Sequence, residues 1–179
     1  LQAAHRQGAE FVRERAMIPV DRRFDIVLTS NAGYPLDLNL YQAVKGMSAA
    51  AQVIKPGGHI IVAAECWDGI PEHGEYRRLL HSGRDPAHLL ELMSQPGFLE
   101  RDQWQVALQA RIQLEAHVYL KSKYLSDDEV RRAHITPCHD VERLIRSLVA
   151  EIGPGASICV LPQGPLAVPY VAGPSGHGG

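Results

Sequence analysis

Tyr41, Gln42 and Lys45 stand in one short run, Tyr41-Gln42-Ala43-Val44-Lys45. In a helix Tyr41 and Lys45 are one turn apart and Gln42 lies beside them, so a phenol, an amide and an ammonium project together. Lysine suits an anionic partner because it is a compact point charge with three donors. On that reading Lys45 meets an anion while Tyr41 and Gln42 orient it. On the plainer reading Tyr41 packs, Gln42 caps the helix and Lys45 is a solvated face residue. A second candidate is Trp104 in Asp102-Gln103-Trp104-Gln105. Its indole can wall a pocket and donate its N–H, or simply join the core. Other polar residues point elsewhere. The nine histidines show no ligand spacing such as H-E-x-x-H. Cys138-His139-Asp140 precedes a helix, where Asp140 or His139 serves better as a cap than as a metal ligand. His73 and His81 are expected on solvated faces. Asp68 and Glu72 are expected to hold a loop by hydrogen bonds rather than to touch a cofactor.

The elements that must position Lys45 are legible on both sides of it. Phe24-Asp25-Ile26-Val27-Leu28-Thr29 reads as a short strand, β-branched and apolar. Gly33 and Pro35 then break regular structure. Asn39 is a good N-cap, with Gln42 three positions on as a capping box requires. Pro56-Gly57-Gly58 ends that helix, and His59-Ile60-Ile61-Val62-Ala63-Ala64 is a buried strand. Strand, helix, strand makes a right-handed βαβ unit, and ligands in open α/β sheets bind in the crevice at the strands' carboxyl ends.

The pattern continues along the chain. Residues 3–15 read as an amphipathic helix with Phe11 and Val12 inward. Residues 73–81 are helix-compatible. Asp85 and Pro86 open another helix, and a longer one runs from Asp102 to Ala116. His117-Val118-Tyr119-Leu120 reads as a strand. Ser126 caps an acidic helix start, and Asp140 to Ile152 carries Val141, Leu144, Ile145 and Leu148 on one face. Ser157 to Leu161 is a strand, and Leu166 to Tyr170 a short edge piece that tolerates proline. The expected fold is α/β, a three-layer arrangement of a mostly parallel sheet with helices on both faces. Residues 1–172 are expected to form a single domain and residues 173–179 a disordered, Gly-rich tail.

The chain has 179 residues, enough for one real core. Its net charge of −2 gives no electrostatic footprint for nucleic acid or an anionic membrane surface. No apolar run is long enough to span a bilayer. The first residues are no signal peptide, and the chain, starting at Leu1, reads as a piece of something longer. Three widely spaced cysteines favour a reducing cytoplasm over a disulfide scaffold.

The run Ser30-Asn31-Ala32-Gly33-Tyr34-Pro35-Leu36-Asp37-Leu38-Asn39-Leu40-Tyr41-Gln42-Ala43-Val44-Lys45-Gly46 resembles the signature of the nickel-dependent lactate racemase family, in its C-terminal domain. That signature is roughly S-N-G-G-Y-P-x-D-x-N-x-Y-Q-x-x-K-G, and the chain departs from it at Ala32, where a second glycine is usual. Lys55-Pro56-Gly57-Gly58 and Asp102-Gln103-Trp104-Gln105 are similar to further family segments. The resemblance implies a 2-hydroxy acid substrate held by Lys45, Tyr41, Gln42 and Trp104. It implies racemisation or epimerisation by hydride transfer to a nickel-pincer nucleotide. That group, its lysine anchor and the acid/base histidines would belong to an N-terminal domain absent from this chain. This domain alone is expected to bind no cofactor and to be inactive. Two other readings stay open. Val53 to Val62 resembles the approach to a late strand in Rossmann-like S-adenosylmethionine-dependent methyltransferases, although no E-x-G-x-G loop is present. A nonenzymatic domain that binds a small anion is the other.

Overall fold

A computed structural model describes residues 2–172; the expected disordered tail, residues 173–179, lies outside them. The elements run α1 (Gln2–Ala16), β1 (Met17–Val20), β2 (Phe24–Ser30), α2 (Leu40–Ala51), β3 (Ile54–Ala63), α3 (Tyr76–Leu80), α4 (Pro86–Met93) and α5 (Gln103–Glu115). They continue β4 (His117–Lys121), α6 (Asp127–Arg132), β5 (Thr136–Pro137), α7 (Val141–Ile152), β6 (Ile158–Leu161) and β7 (Val168–Val171), with a 3₁₀ turn at Gly164–Leu166 before β7.

Five strands form one parallel sheet in the order β5-β4-β3-β2-β6. From β2 to β5 the chain steps always the same way, so right-handed crossovers place α2, α5 and α6 on one face. The return to β6 reverses direction and places α7 on the other. The side chains divide accordingly, because neighbours along a strand point to opposite faces. Val27, Ile60, Val62, Val118 and Leu120 join the main core with Val44, Met47, Val106 and Val130 from the helices. Ile26 and Ile61, with Leu28 and Tyr119, face α7, whose Leu148, Val141, Leu144, Ile145 and Val149 close a much thinner layer. This is the three-layer α/β architecture expected from the sequence.

Local chemistry sets the helix starts. Asn39, Asp85, Ser126 and Asp140 each accept a backbone N–H of their own first turn. Ser126 and Glu129 complete a full capping box. At Asn39 only the forward half of the box forms: its Oδ1 accepts the Gln42 N–H at 3.1 Å, and among the described residues the Gln42 side chain makes no return bond.

Several expectations need correction. Phe11 and Val12 do not point inward; they are 57% and 58% exposed, and no residue of α1 is buried. The helical period reveals an apolar stripe but not what covers it. The helix expected over residues 73–81 contracts to Tyr76–Leu80. Among the described residues there are seven strands, two of which were not foreseen. One of these, β1, pairs in parallel with β7 in a separate two-stranded sheet, so the Leu166–Tyr170 piece does not edge the main sheet. His81 is half-buried rather than solvated. The Lys55-Pro56-Gly57-Gly58 segment is the irregular entry of β3: Gly57 sits at φ 74° and Lys55 pairs with Asp25.

Asp25 ties the amino ends of three strands together. Its Oδ2 accepts the Ser157 hydroxyl at 2.6 Å and the Ser157 N–H at 2.9 Å, and Lys55 Nζ donates to it at 2.8 Å. Lys55 first, then Ser157, hold the carboxyl well below the usual carboxylate range against the opposing cost of burial. A depressed folded-state pKa adds stability above the unfolded value of about 4 that fades as pH falls toward the folded one. We expect chemical denaturation to show stability dropping between about pH 5 and about pH 2, with a visibly flatter profile in Asp25→Ala. At neutral pH that variant should lose about 2–3 kcal/mol, since charge-assisted bonds vanish and the Ser157 N–H is left unpaired.

Ala32, the departure from the family signature, sits at φ +64°. A left-handed alanine costs about 1–2 kcal/mol, while a glycine adds about 0.5–1 kcal/mol of unfolded-state freedom. Strain exceeds entropy, so Ala32→Gly should stabilise the fold by about 0.5–1 kcal/mol. A lower melting temperature in the variant is the outcome that contradicts this backbone geometry.

Candidate functional site

The loop between β2 and α2 is built on buried polar groups. Asn31, fully buried, donates from Nδ2 to the Leu36 carbonyl and, at 3.1 Å, to the Gln42 carbonyl. Its Oδ1 accepts the Gly46 N–H at 3.0 Å. Asp37, also buried, accepts the Glu65 N–H at 3.1 Å and so binds the loop to the end of β3. Asp68 accepts from Asn39 Nδ2 at 3.1 Å, the loop-holding role expected of it. Glu72 pairs with Arg77 at the surface instead.

α2 buries Leu40, Ala43, Val44, Met47 and Ala50 at helical spacing. The opposite stripe carries Tyr41, Lys45, Ser48 and Gln52. Lys45, Ser48 and Gln52 line a groove of about 430 Å³ whose far walls are Trp104 and Leu108 of α5 and Gly164, Pro165 and Val168. Lys45 is exposed and, among the described residues, makes no ion pair. Trp104 is 58% exposed, so its indole is a wall and not a core side chain. Tyr41 stands behind it, edge-on at 6.0 Å, and meets the buried Tyr76 edge-on at 5.2 Å. Burial, and after it the Asp102 carboxylate, raise the Tyr41 phenol above its ordinary value, so it remains a hydroxyl at neutral pH. Gln42 does not line the groove; its backbone is engaged by Asn39 and Asn31.

The expected crevice and this groove are different places. The concavity over the carboxyl ends of β2, β3 and β4 is lined by Ser30, Gly33, Asp37, Ala63 to Glu65 and Lys121 to Lys123, at about 700 Å³. Lys45 is not in it. The groove lies instead beside the point where strand order reverses, between β2 and β6, and the Gly164 turn occupies that corner. A Cβ at Gly164 would meet Thr29 Oγ1 at 2.3 Å and the Gly46 Cα at 3.2 Å. Only glycines let the turn come this close to α2.

Each residue of Asp102-Gln103-Trp104-Gln105 has a separate task. Asp102 accepts the Glu75 N–H at 3.0 Å, and Gln103 accepts the Glu100 N–H at 2.9 Å. Gln105, buried, donates to the Tyr41 carbonyl at 2.7 Å and so fixes α5 against α2 with Trp104 turned outward. Sequence reasoning missed Asn31 and Gln105 as positioning groups, and missed the Gly164 turn as the third wall. The glutamine was visible in its segment, but nothing in the order of residues places the turn beside Gly46.

Cys66 is pushed up to about 12 by burial, so it stays a thiol and offers neither nucleophile nor ligand. Among the described residues no group of three His, Cys, Asp or Glu side chains is placed to hold a metal ion. The groove itself brings an ammonium and an indole, with the Tyr41 phenol behind the indole and outside the lining. These residues do not fit a nickel-bearing group as ligands. What they can do is hold an anion at Lys45 and shelter a small apolar part against Trp104.

The sequence model of the lactate racemase C-terminal domain family matches residues 20–168. Lactate racemase from Thermoanaerobacterium thermosaccharolyticum is 37% identical over 165 residues, which is 91% of this chain and 38% of that protein. Lactate racemase from Lactiplantibacillus plantarum is 35% identical over 167 residues, 92% of this chain and 39% of that protein. The chain thus spans about two fifths of the length of these relatives. The lactate racemase apoprotein structure from Thermoanaerobacterium thermosaccharolyticum superposes with a TM-score of 0.84 at 34% identity, covering 93% of this chain and 40% of that one. A Thermotoga maritima protein shares the fold, with a TM-score of 0.65 at 14% identity over 96% of this chain and 42% of that one. The signature run, the groove it shapes and these likenesses together make this chain a member of the lactate racemase C-terminal domain family.

Proposed function

We propose that this chain is the substrate-positioning part of a 2-hydroxy acid racemase or epimerase, working opposite an N-terminal domain of the same protein. The observation that carries the reading is the exposed Lys45 ammonium sharing one groove with the half-exposed Trp104 indole. An ammonium takes a carboxylate by a charge-assisted bond worth about 1.5–3 kcal/mol. The Trp104 face shelters the small hydrocarbon part. Tyr41, held as a hydroxyl, backs the indole and can donate to the same anion, and Gln42 completes the helix turn beside it. Val168 in the groove's wall is 49% exposed and stands beside Pro165 and Ala167, an apolar lip that favours a second wall. Closing two walls over the substrate would orient it and exclude water.

The nickel-pincer nucleotide implied by the family resemblance would supply the hydride acceptor. The residues here do not fit it, so its place in this proposal is the N-terminal domain. The share of this chain is binding and orientation. No helix among the described residues is long and apolar enough to cross a membrane, and we propose a cytoplasmic setting.

In the full-length enzyme, Lys45→Ala should lower kcat/KM about ten- to a hundredfold, the value of one charge-assisted bond, and leave nickel content unchanged. Steady-state kinetics with metal analysis checks it; near-normal activity would remove Lys45 as the carboxylate anchor. Trp104→Phe should keep most of the activity and Trp104→Ala should not, because the face and not the N–H carries the packing. Racemase assays on this chain alone, with cofactor supplied, should give background rates; clear turnover would overturn the division of labour.

A further inference from the structure

A second groove, of about 690 Å³, shares no lining residue with the one at Lys45. It lies between the α3–α4 connection and α6. His81, Gly83 and Arg84 form one side, and Asp128, Arg131, Arg132 and His134 the other. Three guanidinium groups face one carboxylate there. Arg131 is already engaged by Asp127 at 3.0 Å and Asp128 at 3.4 Å, and Arg84 reaches Asp85 at 3.4 Å. Arg132 makes no ion pair among the described residues.

Arginines at the end of α6 would ordinarily be explained by the helix's own carbonyls. Here the last-turn carbonyls of α6 are already met by backbone N–H groups, from Ala133 to Glu129 and Val130, from His134 to Arg131 and from Ile135 to Val130, and α5 takes the two carbonyls that follow. Gln109 Nε2 donates to the Ala133 carbonyl at 2.9 Å, and Gln113 Nε2 donates to Ala133 at 3.0 Å and His134 at 2.7 Å. The cations are left facing the groove. The groove's imidazoles are also underused. The Nε2 atoms of His81 and His134 are both buried and, among the described residues, without a hydrogen-bond partner. His134 is held there at φ +58°, a conformation that histidine adopts only at a cost. Unsatisfied buried nitrogens in a native fold call for a partner. Burial is the first cause that lowers the His81 pKa; the neighbouring Arg77, Arg132 and His134 add to it, and Glu129 opposes.

We propose that this groove binds a phosphate-bearing small molecule, with Arg84 and Arg132 as its principal anion donors and His81 and His134 at its floor. A phosphomonoester is doubly charged near neutral pH and presents several acceptor oxygens to planar guanidinium forks. A monocarboxylate of the kind proposed for Lys45 fills neither the charge nor the space.

The test is a titration of this chain with inorganic phosphate and with glycerol phosphate at constant ionic strength, following the His81 and His134 ring protons by NMR. Both resonances should shift saturably, and acetate should not reproduce the effect. Arg84→Ala and Arg132→Ala should each weaken binding at least about tenfold, with unchanged circular dichroism melting curves, while Lys45→Ala leaves it intact. Shifts that are linear in concentration, equal shifts with acetate, or undiminished affinity in both arginine variants overturn the assignment. So does loss of binding in Lys45→Ala alone, which would put the phosphate in the other groove.

Discussion

The Asn31 carboxamide sits where three pieces of backbone meet, and its two ends satisfy all of them: the Leu36 and Gln42 carbonyls through its N–H₂, the Gly46 amide through its oxygen. Buried amides left unmade would each cost about 1–3 kcal/mol, so this one side chain fixes the loop after β2 against the middle of α2. The fit demands that Gly46 have no side chain, since a Cβ there would lie 2.8 Å from the Asn31 oxygen. The bare helix surface thus created lets the Gly164 turn press in from the other end of the chain. The rotation of α2 about its axis, and with it the direction of Lys45, follows from that contact.

A second layer of buried amides aligns the opposite wall. Gln105 holds the Tyr41 carbonyl, and Gln109 accepts from the Tyr76 hydroxyl while donating to Ala133. These glutamines leave α5 no freedom to turn, so Trp104, one residue before Gln105, must face outward. The aromatic series Trp104, Tyr41, Tyr76 then runs from the groove into the core. An exposed indole on such a rigid support loses little further entropy when a ligand packs against it.

The two faces of the sheet are unequal. One carries most of the core and both grooves; the other is closed by α7 over a small cluster around Leu148. The amino ends of the strands are stitched by Asp25, Lys55 and Ser157, and the groove runs along the outer stripe of α2 with none of these three in its lining. Stability and ligand handling therefore rest on separate residues, which lets the groove keep Lys45 exposed and Trp104 bare without loosening the sheet.

Much of this was readable from the order of residues. The caps at Asn39, Asp85, Ser126 and Asp140, the buried strands β2, β3 and β4, and the stripe carrying Tyr41 and Lys45 all depend on contacts within a few residues, which local chemistry and period determine. The signature run likewise marked the family and the candidate residues. The tertiary structure alone decided which concavity Lys45 enters, that Trp104 and not Gln42 shares it, that β1 pairs with β7, and that Phe11 and Val12 stay uncovered. It also decided that His81 and His134 meet in a cationic groove. Each of these depends on close approach between segments far apart in the chain, at Gly46 and Gly164 or at Gln113 and His134, and such contacts leave no periodic trace in either segment by itself.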